Sequence, residues 1–151
     1  MTGAARSDVL SPAARSAAMR AVKSKNTAPE LKLRKALHAL GLRYRLHGKD
    51  LPGSPDLVFP KHRTVVFVHG CFWHGHDCAR GAREPKTNAD YWRAKIARNR
   101  ARDAAAQTAL QRAGWRVVVV WACALKNLDA TAPAVRAAII GACARTDFRG
   151  P

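Results

Sequence analysis

The feature that most constrains the fold of this chain is a pair of apolar, strand-like segments separated by one long helical stretch. Thr64–His69 (TVVFVH) and residues 115–121 (WRVVVVW) are rich in β-branched residues, and the stretch between Asn88 and Gly114 has helical character. A strand–helix–strand unit places its two strands parallel in one sheet, with a right-handed crossover. Parallel strands end at the same sheet edge, so we predict that the residues following His69 and Trp121 lie close together.

The rest of the sequence predicts further helices and strands around this unit. Ser11-Pro12 begins a helix that runs to about Lys25, and Thr27 with Glu30 forms a capping box for a second helix that ends at Gly41. Further strands are predicted at 42–46 and 56–59, a hairpin turn at 60–63, and a last helix over 134–144 that Pro133 begins. We therefore predict one α/β domain over residues 1–151, with flexible tails at 1–10 and 145–151.

The charge of the chain indicates the kind of partner. Lys and Arg number 27 against 10 Asp and Glu, a formal net charge of +17, and the basic residues are spread over nearly the whole sequence. Such a charge favours a polyanion, most commonly nucleic acid. No apolar run approaches the ~18 residues of a membrane span and no secretory signal is recognisable, so we expect a cytoplasmic protein without a membrane partner.

Cysteine and histidine cluster where the strand–helix–strand unit begins and ends. A reducing compartment makes metal binding a better explanation than disulfides. The pattern C-x4-H-x-C follows the first strand and one more cysteine follows the second, which predicts a closed tetrahedral zinc site at Cys71, His76, Cys78 and Cys123. His74 and Asp77 are competing ligands, and inert buried cysteines are the alternative. Cys143, among alanine and isoleucine, is expected to pack in the core.

An acid near two histidines indicates a second, catalytic site. Asp56 begins a strand after Pro-Gly-Ser-Pro, at a sheet edge where a carboxylate can hold a hard cation, and a turn-capping role is the alternative. His69 ends the neighbouring strand, and His74 follows in the same loop as the predicted zinc ligands. In so basic a chain this set indicates magnesium-assisted phosphodiester hydrolysis, with a histidine taking a proton from the attacking water. Glu30 either completes the capping box or orients a metal-bound water.

Aromatic residues stand in basic surroundings. Phe72 and Trp73 lie between two predicted zinc ligands, and Tyr91 and Trp92 lie near the start of the long helix. Such rings can wedge between base steps or stack on bases, and packing of the helix on the sheet is the alternative for Tyr91 and Trp92. The same helix carries basic side chains that either follow phosphates or are simply solvated: Arg93, Lys95, Arg98, Arg100 and Arg102.

Taken together, these motifs resemble one family, the very-short-patch-repair DNA mismatch endonucleases. The resemblance covers roughly residues 15–126, and its most specific part is the run VFVHGCFWH at 66–74 with WACAL at 121–125. It also includes PGSPD at 52–56, TAPE at 27–30, Arg20-Ala21 and Tyr91-Trp92. One departure is Val68, where some relatives carry a threonine whose main-chain carbonyl the family uses on the metal.

The resemblance implies a restriction-endonuclease-like fold, with a central mixed sheet flanked by helices and a structural zinc site. It implies a magnesium-dependent nick beside the T of a T·G mismatch, the lesion left when 5-methylcytosine deaminates. By matching positions, the magnesium ligands would be Asp56 and the main-chain carbonyl of Val68. His74 would be the general base and His69 the contact to the scissile phosphate, while Glu30 and Asp103 would support the site. The wedge that opens the duplex would be Phe72, Trp73 and Trp92.

Two rival functions stay open at this point. One is a non-catalytic zinc module that binds DNA or RNA by charge, and the other is a nuclease of the same fold with a different DNA substrate. For the mismatch endonuclease, the expected partners are double-stranded DNA with a T·G mismatch and other mismatch-repair proteins. We expect a monomer, because a single asymmetric lesion does not call for a symmetric dimer.

Overall fold

The structure, a computed structural model, describes residues 26–79, 81–83, 86–141 and 145–149. Its elements are helix α1 (Ala28–Ala39), strands β1 (Arg45–Leu46), β2 (Leu57–Phe59) and β3 (Thr64–His69), helix α2 (Ala89–Arg112), strand β4 (Arg116–Trp121), helix α3 (Leu128–Ile140) and strand β5 (Arg145–Phe148). Short 3-10 turns lie at Pro60–His62 and Ala122–Asn127. The predicted helix from Ser11 to Lys25, the tail 1–10 and the predicted packing of Cys143 lie outside the described residues.

The described strands form one mixed sheet in the order β1-β2-β3-β4-β5. β1, β2 and β3 are antiparallel neighbours, while β3, β4 and β5 run parallel. β3 and β4, the two apolar segments on either side of the long helix, pair from Thr64 opposite Arg116 to His69 opposite Trp121. The predicted parallel pairing is therefore confirmed, and the ends of these two strands lie side by side.

Helices cover both faces of the sheet. On one face the buried core joins β3 and β4 to α1 and α3, through Leu33, Leu37, Val135 and Ile139. On the other face Leu110 of α2 packs against Val65 and Val117. Because both faces are covered, β3 and β4 are continuous apolar runs rather than alternating ones. This mixed sheet with flanking helices agrees with the predicted restriction-endonuclease-like fold.

The long helix α2 lies mostly in solvent. Of its 24 residues, Gln107 and Leu110 are the buried ones, and both lie in its C-terminal half. The N-terminal half is therefore not required for the core and can carry charge and aromatic rings toward a partner. None of the helices in the described part of the chain has the length and apolar content that a bilayer crossing requires.

Two predictions for the C-terminal part are wrong. α3 begins at Leu128 rather than after Pro133, because the side chain of Asn127 caps it by accepting a hydrogen bond from the N–H of Ala130 at 3.4 Å. Residues 145–148, predicted as part of a flexible tail, form β5 and pair with Val117–Val120 of β4. Without β5, the buried backbone of β4 would lack hydrogen-bond partners on that side.

The strand predicted at 42–46 is shorter than expected. Arg45 and Leu46 are the residues that pair with β2. Leu42 lies instead in the turn that follows α1, since its N–H donates to the carbonyl of Leu37 at 3.1 Å and its side chain is buried. Gly41 allows this chain reversal with a φ of +91°.

Candidate active site and metal centre

A cavity of about 610 Å³ lies at the sheet edge where β3 ends and β2 begins. The two strands are antiparallel, so the start of β2 and the end of β3 meet at this edge. Four of the residues predicted to be catalytic line the cavity together: Asp56, His69, His74 and Asp103. The fifth, Glu30, connects to the cavity through His47, which is itself a lining residue.

Asp56 presents its carboxylate at this edge. Its Oδ2 accepts a hydrogen bond from the main-chain N–H of Val68 at 2.7 Å. Burial raises the pKa of the Asp56 carboxyl to about 6, a rise that the Val68 N–H opposes and the charge of Glu30 increases. A carboxylate in this state has incompletely compensated negative charge, which a bound cation would stabilise.

The Pro-Gly-Ser-Pro segment brings the chain before Asp56 against α2. Gly53 has a φ of +74°, and a Cβ atom there would lie 2.7 Å from the Cβ of Ala106. Glycine is therefore required both for the backbone conformation and for the close approach to the helix. The carbonyl of Pro55 accepts a hydrogen bond from the N–H of Gly48 at 2.9 Å, which holds the segment in place.

His74 and Asp103 form a hydrogen-bonded pair across the cavity wall. Nδ1 of His74 lies 2.5 Å from Oδ2 of Asp103, and each side chain is 25% exposed. This contact assigns the proton to Nδ1, so that Nε2 carries the lone pair that a general base needs. The ring of His69 stacks on His74, with centroids 3.9 Å apart and planes 4° apart. The stack fixes the orientation of both imidazoles.

A second group of side chains has the composition of a metal site. The ligand atoms of Cys71, His76, Cys78 and Cys123 all lie within 4.8 Å of one another. Sγ of Cys123 is 3.6 Å from Nδ1 of His76, and a tetrahedron with zinc–ligand bonds of roughly 2.0–2.3 Å has an edge of about the same length. Burial and the neighbouring thiols raise the pKa of the Cys71 thiol to about 12, so a cation is what would keep these groups as thiolates.

The competing zinc ligands considered from the sequence lie elsewhere. His74 belongs to the cavity with Asp103, and Oδ1 of Asp77 faces Nε2 of His76 at 3.4 Å. The ligand atoms of His69, His74 and Asp103 also lie within 4.8 Å of one another. The rings of His69 and His74 are parallel and stacked, however, so their lone pairs cannot both point at one ion. The four residues predicted for zinc are thus the ones whose arrangement suits a tetrahedral ion.

Phe72, Trp73 and Trp92 form one aromatic cluster. The ring centroids of Phe72 and Trp73 are 5.2 Å apart, and Trp92 lies 5.7 Å from each. Trp92 therefore packs on the loop rings, while Tyr91 lies against Trp92 and is 50% exposed. The side-chain amide of Asn99 donates to the carbonyl of Trp73 at 2.9 Å, which ties this loop to α2.

Basic side chains of α2 surround the cluster and the cavity. Nζ of Lys95 lies 5.6 Å from the ring of Trp73 and 5.7 Å from that of Trp92. Arg102 lines the cavity. Arg98 and Arg100 are exposed on the same half of the helix. The part of α2 from Lys95 to Arg102 thus carries basic side chains outside the core, and we call this segment the basic face of α2.

Glu30 is buried behind the cavity, with 1% of its surface exposed. Its Oε2 accepts a hydrogen bond from the N–H of Asn26 at 3.0 Å, and its Oε1 lies 2.9 Å from Nε2 of His47 and 3.5 Å from Nη1 of Arg34. The predicted capping box is altered, because Glu30 bonds the N–H before Thr27 and the Thr27 side chain makes no capping bond. Glu30 therefore has both a structural contact and a connection to the cavity.

Sequence reasoning missed two residues of this region, His47 and Asn99. His47 lies on the connector after β1, where neither periodicity nor a motif marks it. Asn99 is a single polar residue in a basic helix. Residue type alone could have pointed to His47, as one of the 6 histidines in the chain.

Comparison with known proteins finds relatives for most of the chain. A family model described as DNA mismatch endonuclease Vsr matches residues 7–80. The chain is 57% identical to the Type II nicking enzyme V.XorIIP of Xanthomonas oryzae pv. oryzae, over 82% of this chain and 90% of that protein. It is 47% identical to the Type II nicking enzyme V.NmeAIP of Neisseria meningitidis, over 80% of this chain and 85% of that protein. It is 43% identical to the DNA mismatch endonuclease Vsr of Escherichia coli, over 81% of this chain and 78% of that protein.

Proposed function

The chain belongs to the Vsr family of DNA mismatch endonucleases, and from this premise we propose that it nicks duplex DNA beside the T of a T·G mismatch. As a member of this family it is an endodeoxyribonuclease. The T·G specificity and a magnesium-dependent mechanism are the parts that we propose. The observation that carries the proposal is the meeting of the Asp56 carboxylate with the His74–Asp103 pair in one cavity.

His74 is the proposed general base. Its Nε2 takes a proton from water as the water attacks the phosphorus in line, while Asp103 keeps Nδ1 protonated and stabilises the imidazolium that forms. His69, stacked on His74, contacts the scissile phosphate. The bond from phosphorus to the 3′ oxygen breaks and that oxygen takes a proton from solvent water, which leaves a 3′-hydroxyl and a 5′-phosphate. Glu30 supports this site from behind.

Asp56 and the main-chain carbonyl of Val68 are the proposed magnesium ligands. Both are hard oxygen donors, the type that magnesium prefers over thiols and imidazoles. When bound, the cation would neutralise phosphate charge and stabilise the leaving oxygen. The raised pKa of Asp56 supports a cation at this carboxylate. Because the ligand from residue 68 is main-chain, valine in place of threonine is compatible with the role.

Cys71, His76, Cys78 and Cys123 are proposed to hold a structural zinc ion. The three thiols and one imidazole form a closed donor set without a position for substrate, as structural zinc sites do. Such an ion joins the loop after β3 to the end of β4. It thereby fixes the loop that carries Phe72, Trp73 and His74.

The aromatic cluster supports a mismatch as the substrate. Trp73 directly precedes His74 in the chain, so rings inserted into the base stack would place the cavity beside the opened base step. A mismatched step is easier to open than a paired one, which favours the lesion over intact duplex. We propose that the protein acts as a monomer on DNA of the cytoplasmic nucleoid, and that other mismatch-repair proteins act after it.

The test is nicking of a duplex with one T·G pair and randomised flanking bases, in magnesium, against the same duplex with T·A. We expect nicks next to the T in the first duplex and at least about 10²-fold slower cleavage of the second. Equal cleavage of both would indicate a nuclease with another substrate. Tight binding with no cleavage in Mg²⁺ or Mn²⁺ would indicate a non-catalytic module.

The Asp56→Ala variant tests the ligand assignment within the same assay. We expect a loss of roughly 10³-fold or more in nicking rate with binding of the T·G duplex retained, because the phosphate would lose its cation but not its other contacts. Asp129→Ala, at an exposed position on α3, is the matched control. Wild-type nicking by Asp56→Ala would overturn the assignment.

A further inference from the structure

The contacts of Glu30 leave little room for this residue to act directly in the cavity. Both carboxylate oxygens already have protein partners: Oε2 accepts from the N–H of Asn26, and Oε1 lies against His47 and Arg34. The residue is 1% exposed. Besides the effect of its charge on Asp56, Glu30 reaches the cavity by hydrogen bonds through a neighbour, and His47 is the neighbour that lines the cavity.

The backbone holds His47 in an uncommon conformation at this place. Its φ is +50°, in the left-handed region that non-glycine residues seldom adopt. The main-chain N–H of His47 donates to the carbonyl of Asp56 at 3.0 Å, which extends the β1–β2 pairing by one contact. The ring of His47 and the carboxylate of Asp56 are thus held on one local framework, and both residues line the same cavity.

The hydrogen bond to Glu30 determines which ring nitrogen of His47 is free to accept a hydrogen bond from another group. Nε2 lies 2.9 Å from Oε1 of Glu30, and a carboxylate oxygen only accepts, so the proton of a neutral ring lies on Nε2. Nδ1 then carries the lone pair. A carboxylate hydrogen-bonded to one nitrogen of an imidazole fixes the tautomer and the orientation of the ring.

We propose that His47 is a positioning residue of the active site: its Nδ1 accepts a hydrogen bond from water bound beside Asp56, and Glu30 acts on the reaction through it. This inference rests on the proposed function, since it concerns the water that accompanies the catalytic cation. It assigns Glu30 to orienting the His47 ring, not to contact with the cation. Hydrogen bonds therefore connect Asp56 at the cavity to His47, and His47 to Glu30 in the core.

A purely structural role for His47 makes a different prediction. In that case the histidine only compensates the buried charge of Glu30, and removal of the charge should make the histidine dispensable. The double variant His47→Ala/Glu30→Gln separates the two roles, because it has neither the imidazole nor an uncompensated buried carboxylate. It also guards against a His47→Ala protein that fails to fold.

The experiment compares wild type, His47→Ala, His47→Gln, Glu30→Gln and the double variant, all zinc-loaded, with His38→Ala as the control. His38 is an exposed histidine at the end of α1. Three quantities are measured: the single-turnover nicking rate on the T·G duplex, Mn²⁺ affinity by calorimetry without DNA, and affinity for the duplex without a divalent cation.

We expect His47→Ala to lower the nicking rate and Mn²⁺ affinity by about 10- to 100-fold, as loss of a supporting partner around a metal commonly does, with duplex affinity unchanged. His47→Gln should recover most of the loss, because an amide can both donate to Glu30 and accept from water. The double variant should be as impaired as His47→Ala. Wild-type rate and Mn²⁺ affinity in either the single or the double alanine variant overturn the inference. If wild type itself fails to nick the T·G duplex, the proposed function fails instead.

Discussion

Asp103 is an acid on a helix whose exposed residues are mostly basic or small, yet its carboxylate contacts the histidine that we propose as the general base. The 2.5 Å contact with Nδ1 of His74 holds the ring and leaves Nε2 as the acceptor. Asp103 lies on α2 and His74 on the loop after β3, so the pair depends on how the helix crosses the sheet. We therefore expect that replacing the carboxylate oxygen Oδ2 of Asp103 would change the protonation pattern of the His74 ring.

Asp103→Asn should lower the nicking rate by about 10²- to 10⁴-fold while DNA affinity stays unchanged. The amide keeps the size of the side chain, but it has no charge to stabilise the imidazolium and can donate to Nδ1, which would favour the wrong tautomer. The measurement is the single-turnover rate on the T·G duplex. Asp129→Asn, at an exposed position on α3, is the matched control. A rate within about threefold of wild type would mean that His74 is not the base.

At the scale of elements, one loop carries most of the functional groups. Residues 70–79 hold three of the four predicted zinc ligands, two rings of the aromatic cluster and the proposed general base. Many of these residues are only half-buried, so the apolar core contributes little to the order of the loop. The fourth predicted ligand, Cys123, comes from the turn after β4, and a bound ion would join the loop to the sheet through it.

Cys123→Ala should reduce the zinc content below the roughly one ion per chain expected of wild type and lower the melting temperature by about 10 °C or more. Discrimination between T·G and T·A duplexes should fall more than overall DNA affinity, since the loop that carries Phe72 and Trp73 loses its anchor. Zinc is measured by mass spectrometry of metals, and Cys143→Ala is the control. Full zinc content in Cys123→Ala would exclude it as a ligand.

The elements that the sequence predicts well are those with strong local signals. β3, β4 and α2 match the prediction because apolar runs, a helical stretch and a terminal glycine all agree. β5 was missed because its residues, RTDF, have little strand character and pair only because β4 offers an open edge. The start of α3 was misplaced because Pro133, which favours a helix start, lies inside a helix that Asn127 caps.

At the scale of the whole molecule, we expect the net charge of +17 to attract DNA to the protein surface. Much of α2 is exposed and basic, and the aromatic cluster and the cavity lie beside that face. Long-range attraction by this charge would hold the duplex while the rings sample base steps. The charge by itself contributes to affinity for any duplex, so we expect the proposed lesion to be distinguished where the rings insert.

Binding to duplex DNA should weaken steeply with salt. If 6–10 phosphates are contacted, raising the salt from 50 to 200 mM should lower affinity by about 10³- to 10⁵-fold for matched and mismatched duplexes alike, because each contact releases a counterion. Arg98→Gln should make the slope of log affinity against log salt shallower by about one. Fluorescence anisotropy measures both. An affinity that is independent of salt would contradict a phosphate-binding role for the basic face.

The sequence by itself determined the strand–helix–strand unit, the residues that gather at its edge and the class of partner, because each depends on local pattern, strand direction or total charge. The meeting of Cys123 with Cys71, His76 and Cys78 followed from parallel strands alone. Only the tertiary structure decided the pairing of His74 with Asp103, the contact of Trp92 with Phe72 and Trp73, and the position of His47 between Glu30 and the cavity. These contacts depend on where α2 crosses the sheet and on a connector held at a positive φ, and such packing arrangements leave no periodic trace in the order of the residues.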